Sequence, residues 1–349
     1  MALYRPIYIL YVLVLLVLGW EGFSFYRNFY QVYETTVHTS VTRNLALSQV
    51  VNAEVMSQLA EREVSLMFFG DIMLSRSVGK KIVEVGDFTY PFLLVASTTR
   101  EADILFANLE NPISARGKNQ GSIYSFRADP EVMKGVVYAG FDIVSVANNH
   151  MWDWGRDALE DTLTVLKQNG IESVGAGKNE IEANKPVILN RHGTSFGFLA
   201  YTNLMPESLN AKGDNPGFSY FEKEKARSDI QKLKQSVDVV IVSIHWGEEY
   251  KTESNDLQKS LARSFIDAGS DLVIGHHPHV VQEVEHYKNG WIAYSLGNFV
   301  FDQSFSEATR YGLGLSVKIK GKEVAGVEEK KVNISSDFQP AFVSTTSVR

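Results

Sequence analysis

The sequence predicts an α/β domain with some antiparallel strands, set behind an apolar N-terminal segment. Short apolar runs alternate with helical stretches from about residue 63 onward, the order produced by parallel strands joined through helical crossovers, and the later, strand-rich part adds antiparallel pairs. The 349 residues are 44% hydrophobic and 21% charged, ample material for one large core or two smaller ones. Ahead of this domain, PIYILYVLVLLVLGW from Pro6 to Trp20 contains no charged residue.

Taken in order, that run is extended by Leu3 and Tyr4 before it and GFSFY after it, to about the length of a bilayer-crossing helix. Arg5 and Glu21 would sit at the two interfaces, with Trp20, Phe23, Tyr26 and Tyr30 as aromatic anchors. A cleaved signal peptide is the competing reading, but no small-x-small cleavage site follows, which favours a retained membrane anchor over 1–27. The expected topology is single-pass in the cell membrane, with the main domain extracytoplasmic. Residues 28–62 contain no Gly or Pro, and LALSQVVNAEVMSQLAEREV spaces its apolar residues by three and four, as a helical stalk does. The main domain then spans 63–334. Strands are expected at 64–69, 104–107, 143–147, 186–190, 195–201, 237–244, 272–274, 291–295 and 313–320, and helices at 92–100, 130–139, 156–168, 223–235 and 255–268. GKNQGS and NAKGDNPG, around Lys118 and Lys212, are surface loops. The final SSDFQPAFVSTTSVR, 335–349, lacks periodicity and is expected to be a flexible tail.

Composition removes several classes of function. A net charge of -7 gives no basic footprint, so no nucleic-acid partner is expected. The chain has no cysteine, which excludes disulfides, thiolate metal sites and cysteine nucleophiles and leaves only nitrogen and oxygen ligands for any metal.

Five apolar runs end in such ligands. LMFFGD ends in Asp71, ILFANLE in Asn108 and Glu110, IVSVANNH in Asn148, Asn149 and His150, VVIVSIHWG in His245, and LVIGHHPH in His276, His277 and His279. Strand ends in α/β sheets converge on one edge, where ligands bind. Each run alone has a plain explanation: a turn-forming Asp or a satisfied core histidine. ANNH is harder to explain by packing. In HHPH, Pro278 fixes the backbone and is expected to let His277 and His279 project to one side of an extended segment. Carboxylates, amides and imidazoles at one edge predict a divalent-cation site, and their donor set suits Mn, Fe or Zn.

The ordered set FFGDIMLSR, FANLENPI, SVANNHMWDWG, VSIHWGEEY, IGHHPHVVQ and YSLGNFVFDQ resembles the CapA family of bacterial capsule and poly-γ-glutamate biosynthesis proteins, a branch of the calcineurin-like metallophosphoesterase superfamily. The resemblance spans about 65–320. It implies an α/β, two-sheet sandwich flanked by helices (α-β-β-α), preceded by an N-terminal transmembrane helix. Asp71 matches the aspartate of the first metal motif, Glu110 the carboxylate that bridges metals, Asn149 the metal-binding amide, and His245, His277 and His279 the metal histidines. His150 matches the histidine that protonates the leaving group, with Asp153 placed to orient it. Met73 stands where the superfamily has a further histidine, so the site holds one or two metal ions in an altered shell. Arg127 in YSFRADP offers a guanidinium fork for a carboxylate or phosphate. With Asn148, Trp246, Glu248 and Asn298 it completes the expected substrate contacts.

The resemblance implies a membrane-anchored protein of capsule or poly-γ-glutamate synthesis or export, working within a membrane synthesis complex. Its metal site would hydrolyse or transfer groups on an anionic polymer such as poly-γ-glutamate, or on a phosphorylated precursor. Two other readings are a non-catalytic polymer-binding subunit of that complex and a general metallophosphoesterase. Since His276 falls outside the H-x-H pair, His276→Ala should retain far more polymer production in cells than His277→Ala or His279→Ala.

Overall fold

Parallel strands need a covered sheet on both faces, and the chain provides three apolar layers to cover two sheets. The computed structural model describes residues 62–343 and stretches within 18–42. The chain divides into two units, Met1–Leu59 and Ala60–Arg349. Most of the expected anchor and much of the expected stalk lie outside the described residues. The described stretches of 18–42 are helical and exposed. Among the described residues, no helix is long and apolar enough to cross a membrane.

The strands of the second unit are β1 (Val64–Ile72), β2 (Ile104–Leu109), β3 (Ile143–Ser145), β4 (Glu172–Val174), β5 (Ala176–Gly177), β6 (Val187–Arg191), β7 (Thr194–Thr202), β8 (Gly217–Phe218), β9 (Val239–His245), β10 (Leu272–His276), β11 (Val284–Tyr287), β12 (Gly290–Ala293), β13 (Asn298–Val300), β14 (Tyr311–Lys320), β15 (Glu323–Ile334) and β16 (Pro340–Phe342). The helices are α1 (Arg76–Val85), α2 (Ala96–Thr99), α3 (Met133–Ala139), α4 (Gly155–Gln168), α5 (Glu180–Asn184), α6 (Lys223–Lys234) and α7 (Asp256–Asp267). One sheet runs β16-β15-β14-β1-β2-β3-β4, with β13 pairing the end of β1; a second runs β11-β12-β10-β9-β7-β6, and β5 pairs β8. Both large sheets are mixed: the first is antiparallel from β16 to β1 and parallel from β1 to β4, and the second has a parallel centre with β11 and β6 antiparallel at its edges.

Two-residue periodicity sorts the side chains of β1. Leu66 and Phe68 enter a core shared with Phe196, Phe198, Val239 and Ile241 of the other sheet. Met67 and Phe69 face the opposite way, into the layer containing Val78 and Ile82 of α1, Val136 of α3 and Leu159 of α4. The outer face of the second sheet, Val240, Val242 and Ile244, packs on Ile230 of α6 and Phe265 of α7. Across the middle layer Phe106 stacks on Phe198, ring centroids 6.0 Å apart at 8°.

The starting edge of the parallel strands carries a repeated clamp. Asp103, Asp142, Asp238 and Asp271 each stand immediately before a strand. Each accepts a backbone N–H from the neighbouring parallel strand: Ser65 N (2.8 Å), Leu105 N (2.9 Å), Ser195 N (2.9 Å) and Val240 N (2.7 Å). Each also has a cation or imidazole partner, respectively His192, Arg191, Lys322 and Lys234. The clamps fix register at the edge where a parallel pair leaves its first donors unpaired.

The sequence reading differs from this architecture at several elements, and the short β4, β5, β8, β11, β13 and α5 were not expected. The helix expected over 92–100 is a turn of 3-10 helix, Tyr90–Phe92, followed by the short α2, where the β-branched Thr98 and Thr99 propagate a helix poorly. Helix α1 was not expected. Neither was β15, whose VEEKKVN places charge on a largely exposed strand. The expected tail begins with a turn and then forms β16, which adds to the edge of β15 through Val332, Asn333 and Ile334; residues 344–349 lie outside the described residues.

Burial opposes ionisation of Asp238, but hydrogen bonds from Lys322 and Ser195 prevail and bring its carboxyl down to about 2. A depressed carboxyl stabilises the fold above its unfolded value near 3.8 and loses that contribution as pH falls towards 2. Because Lys322 is 78% exposed, the clamp contributes about 1–2 kcal/mol. Asp238→Asn should therefore lower thermal stability by that amount at neutral pH, measured by calorimetry. The difference from the parent should shrink between pH 4 and 2; a constant difference would exclude the charged clamp.

Candidate metal centre

The opposite edge, where the parallel strands end, collects the polar residues. Asp71 closes β1 and lies opposite Asn108 of β2 and Asn298 of β13. His245 closes β9 opposite His276, the last residue of β10. Glu110 follows β2, and Asn148, Asn149 and His150 follow β3. Two glycines permit this convergence. A Cβ at Gly70 would lie 1.9 Å from Gly297 O, and one at Gly275 2.0 Å from Tyr294 O; Asp71 N instead donates to Gly297 O at 2.9 Å.

Asn108 is the central connector. Its Nδ2 donates to Asp71 Oδ1 (2.8 Å) and to Glu110 Oε2 (3.2 Å), and its Oδ1 accepts from Asn148 Nδ2 (3.0 Å). His279 lies between the carboxylates, with Nδ1 3.2 Å from Asp71 Oδ2 and Nε2 3.4 Å from Glu110 Oε1. His245 Nε2 is 2.7 Å from Asn149 Oδ1. The expected extended course through HHPH is not adopted. His277 and His279 both have positive φ, 99° and 57°, a strained geometry for residues with a Cβ. The bend brings their rings within 5.8 Å of each other and is held by Tyr250 N donating to Pro278 O at 2.8 Å.

Burial sets the electrostatics. It pushes the Glu110 carboxyl well above the usual range, and the neighbouring Asp71 charge adds to the shift. Burial also opposes ionisation of Asp71, but His276 and His279 outweigh it and hold that carboxyl well below its ordinary value. Burial drives His245 down, with repulsion from His277 adding to it, and brings His277 to about 3. Both imidazoles are therefore neutral, the form that ligates a metal.

Three groups of ligand atoms lie within 4.8 Å of one another: Glu110, His245 and His277; Asp71, Glu110 and His279; and Glu249, His277 and His279. Glu110 Oε1 and His277 Nδ1 are buried without hydrogen-bond partners. Buried polar atoms without a partner are uncommon, and this donor set fits a divalent cation held by nitrogen and oxygen. The donors brought together, Asp71, Glu110, His245, Glu249, His277 and His279, thus fit the expected metal, with Asn149 Oδ1 beside them on His245.

His150 stands at the rim. Its Nδ1 is 2.8 Å from Asp153 Oδ2, which also accepts Phe126 N at 2.8 Å, and its Nε2 is 4.0 Å from Glu110 Oε1. A mouth of about 140 Å³ opens here, lined by Arg76, Tyr124, Phe126, His150, Glu249 and Tyr250 among others.

Several expected contacts lie elsewhere. Trp246 is buried and donates its Nε1–H to Tyr294 O at 3.0 Å, so it packs behind the site. Asn148 and Asn298 are fully buried with both ends of their amides engaged: Asn148 with Asn108, Leu109 O, His150 N and Met151 N, and Asn298 with His279, Gln303 and Thr309 O. Their amides are engaged within the protein, Asn148 holding Asn108 and Asn298 holding His279. Glu248 borders a shallow pocket with Lys251 and Gln258, whereas its neighbour Glu249 reaches the histidines. Arg127 lies over the Trp154 ring at 3.6 Å and donates to Arg116 O at 3.0 Å, outside the mouth. Met73 joins the apolar layer beside α1. His276, its nitrogens buried, has Nδ1 3.4 Å from Asp71 Oδ1. Arg76 was missed, although FFGDIMLSR contains it; a positive φ of 50° and a 3.3 Å pair with Asp302 turn it to the mouth.

The chain is 34% identical to the capsule biosynthesis protein CapA of Bacillus anthracis over 75% of this chain and 66% of that protein, and so spans just under two thirds of that relative's length. It is also 34% identical to the PGA biosynthesis protein CapA of Bacillus subtilis (strain 168), over 82% of this chain and 75% of that one. A probable polyglutamine synthesis accessory protein of Mycobacterium tuberculosis is 30% identical over 67% of this chain and 65% of its own. Among solved structures, a hypothetical protein from Thermus thermophilus shares the fold, with a TM-score of 0.50 at 16% identity, over 77% of this chain and 98% of that one. The family model for the bacterial capsule synthesis protein PGA_cap matches residues 65–303, and with these relatives it establishes that the chain belongs to that family.

Proposed function

We propose that the chain is a metal-dependent hydrolase or transferase acting on an anionic capsule polymer of the poly-γ-glutamate type or its phosphorylated precursor. The observation that carries this reading is the buried, unpartnered Glu110 Oε1 facing His279, His150 and His245. The uncharged run from Pro6 to Trp20 supports attachment to the cell membrane with the main domain outside the cytoplasm, where a membrane synthesis complex would present the polymer.

Asp71, Glu110, Asn149, His245, His277 and His279 would hold one or two ions of Mn, Fe or Zn. A bound divalent ion supplies Lewis-acid polarisation of a carbonyl or phosphoryl oxygen and an activated water. The protein's own groups supply the rest. Asp153 fixes the His150 ring through Nδ1, Phe126 packs against it with centroids 4.0 Å apart, and Nε2 is left facing the site. From there it can donate a proton to the departing oxygen or nitrogen. Asn108 and Asn298 hold Asp71 and His279 in place.

A non-catalytic polymer-binding role is the second reading. It is favoured by Met73, which leaves the ligand set one histidine short, and by the name accessory protein borne by the mycobacterial relative. Assays of the full-length protein on γ-glutamyl and phosphodiester substrates with Mn or Zn distinguish the two. Asp71→Ala and His277→Ala should abolish turnover, and His150→Ala should lower kcat by about a hundredfold or more without lowering bound metal. In cells, loss of polymer in the first two variants but not in His150→Ala favours binding over acid catalysis. Unchanged production in Asp71→Ala and His277→Ala would reject both metal-centred readings.

A further inference from the structure

Beside the mouth of the metal centre, and larger than it, lies an open groove of about 410 Å³ between α1 and residues 127–132. Its wall is apolar, with Ile82, Val83 and Phe88, and its charged rim is predominantly cationic: Arg76, Lys80 and Arg127. Arg76 and Lys80 are one helical turn apart on α1 and so share a face. Arg76 lines both this groove and the mouth that contains His150 and His279. Its guanidinium lies 5.3 Å from the Phe126 ring centroid and pairs with Asp302. Lys81 is engaged with Glu84 and Asp337. Among the described residues, by contrast, no carboxylate pairs with Lys80 or Arg127. The one acid in the groove, Asp129, accepts Glu131 N at 2.9 Å.

We propose that this groove is a subsite for the polymer chain beyond its reacting unit. A γ-linked polyglutamate strand has methylene pairs in its backbone and one carboxylate per residue. Its methylenes suit the apolar wall and its carboxylates suit Lys80 and Arg127, with Arg76 marking the passage to the metal centre. Arg127, which lies outside the mouth, borders this groove while its guanidinium rests on the Trp154 ring. The chain's overall acidity leaves a local cationic stripe free to select a polyanion at close range, within the screening length of salt. This inference rests on the metal centre receiving one unit of that polymer.

Titrating the full-length, metal-loaded protein with fluorescent γ-glutamyl oligomers of increasing length, and with a single γ-glutamyl unit, tests it. Affinity should rise with length. Lys80→Gln should weaken the long oligomer about fivefold and leave the single unit unaffected, Lys80→Glu should weaken it further, and the dependence on salt should become shallower. Lys80 is exposed on α1, so its variants carry the test; Arg127→Gln, which also loses the Trp154 contact, is secondary. Binding of the single unit with no gain from length, or a long oligomer indifferent to Lys80→Glu, overturns the groove alone. No binding of any γ-glutamyl probe by the parent overturns the groove together with the polymer reading on which it rests.

Discussion

Two carboxylates, Asp71 and Glu110, are fully buried in one place, and the structure around them is organised by that constraint. Charge of one sign cannot be concentrated in a desolvated site without compensation. The chain meets this in part with imidazoles and the Asn108 amide, and leaves Glu110 Oε1 without a partner. A divalent cation would resolve the remainder. Strand ends from both sheets, the glycines at 70 and 275 that let backbones meet, and the bent HHPH segment all serve to deliver donors to that point.

The same residue type works in opposite ways at the two edges of the parallel strands. At the starting edge, aspartates clamp the neighbouring strand, and each has a basic side chain or an imidazole beside it at partly exposed positions. At the finishing edge, Asp71 and Glu110 are sealed from water, with histidines and the Asn108 amide against them. One edge is built for register, the other for a ligand. Arg76 and the aromatic rim join the second to solvent, and the cationic groove continues outward from it.

Much of this was legible from the sequence because the signals were strong and local. Strands that are buried on both faces appear as apolar runs, and a polar residue at the end of each run marks one edge; Asp71, Glu110, His245, His277 and His279 stand out in this way, and the structure brings them together. What failed depended on direction. Trp246 follows a ligand in sequence but turns into the core, and Glu249 rather than Glu248 faces the histidines because the chain turns at Gly247, φ 85°. Asn148 and Asn298 looked like substrate contacts, yet their amides are used entirely inside the protein. The aspartates before the strands, in ADILFA, FDIVSV, VDVVIV and SDLVIG, were an available signal that went unread. β15 was hidden by its charge, since an exposed edge-side strand needs little apolar pattern.

The central claim is that the Glu110 cluster is a metal site. Its most direct test is elemental analysis of the full-length protein, purified without chelator and dialysed, beside a Glu110→Gln variant. One or two equivalents of Mn, Fe or Zn per chain in the parent, with a marked loss in the variant, is the result predicted. A folded parent that retains no stoichiometric metal, and takes up none when Mn, Fe or Zn is supplied, would contradict it.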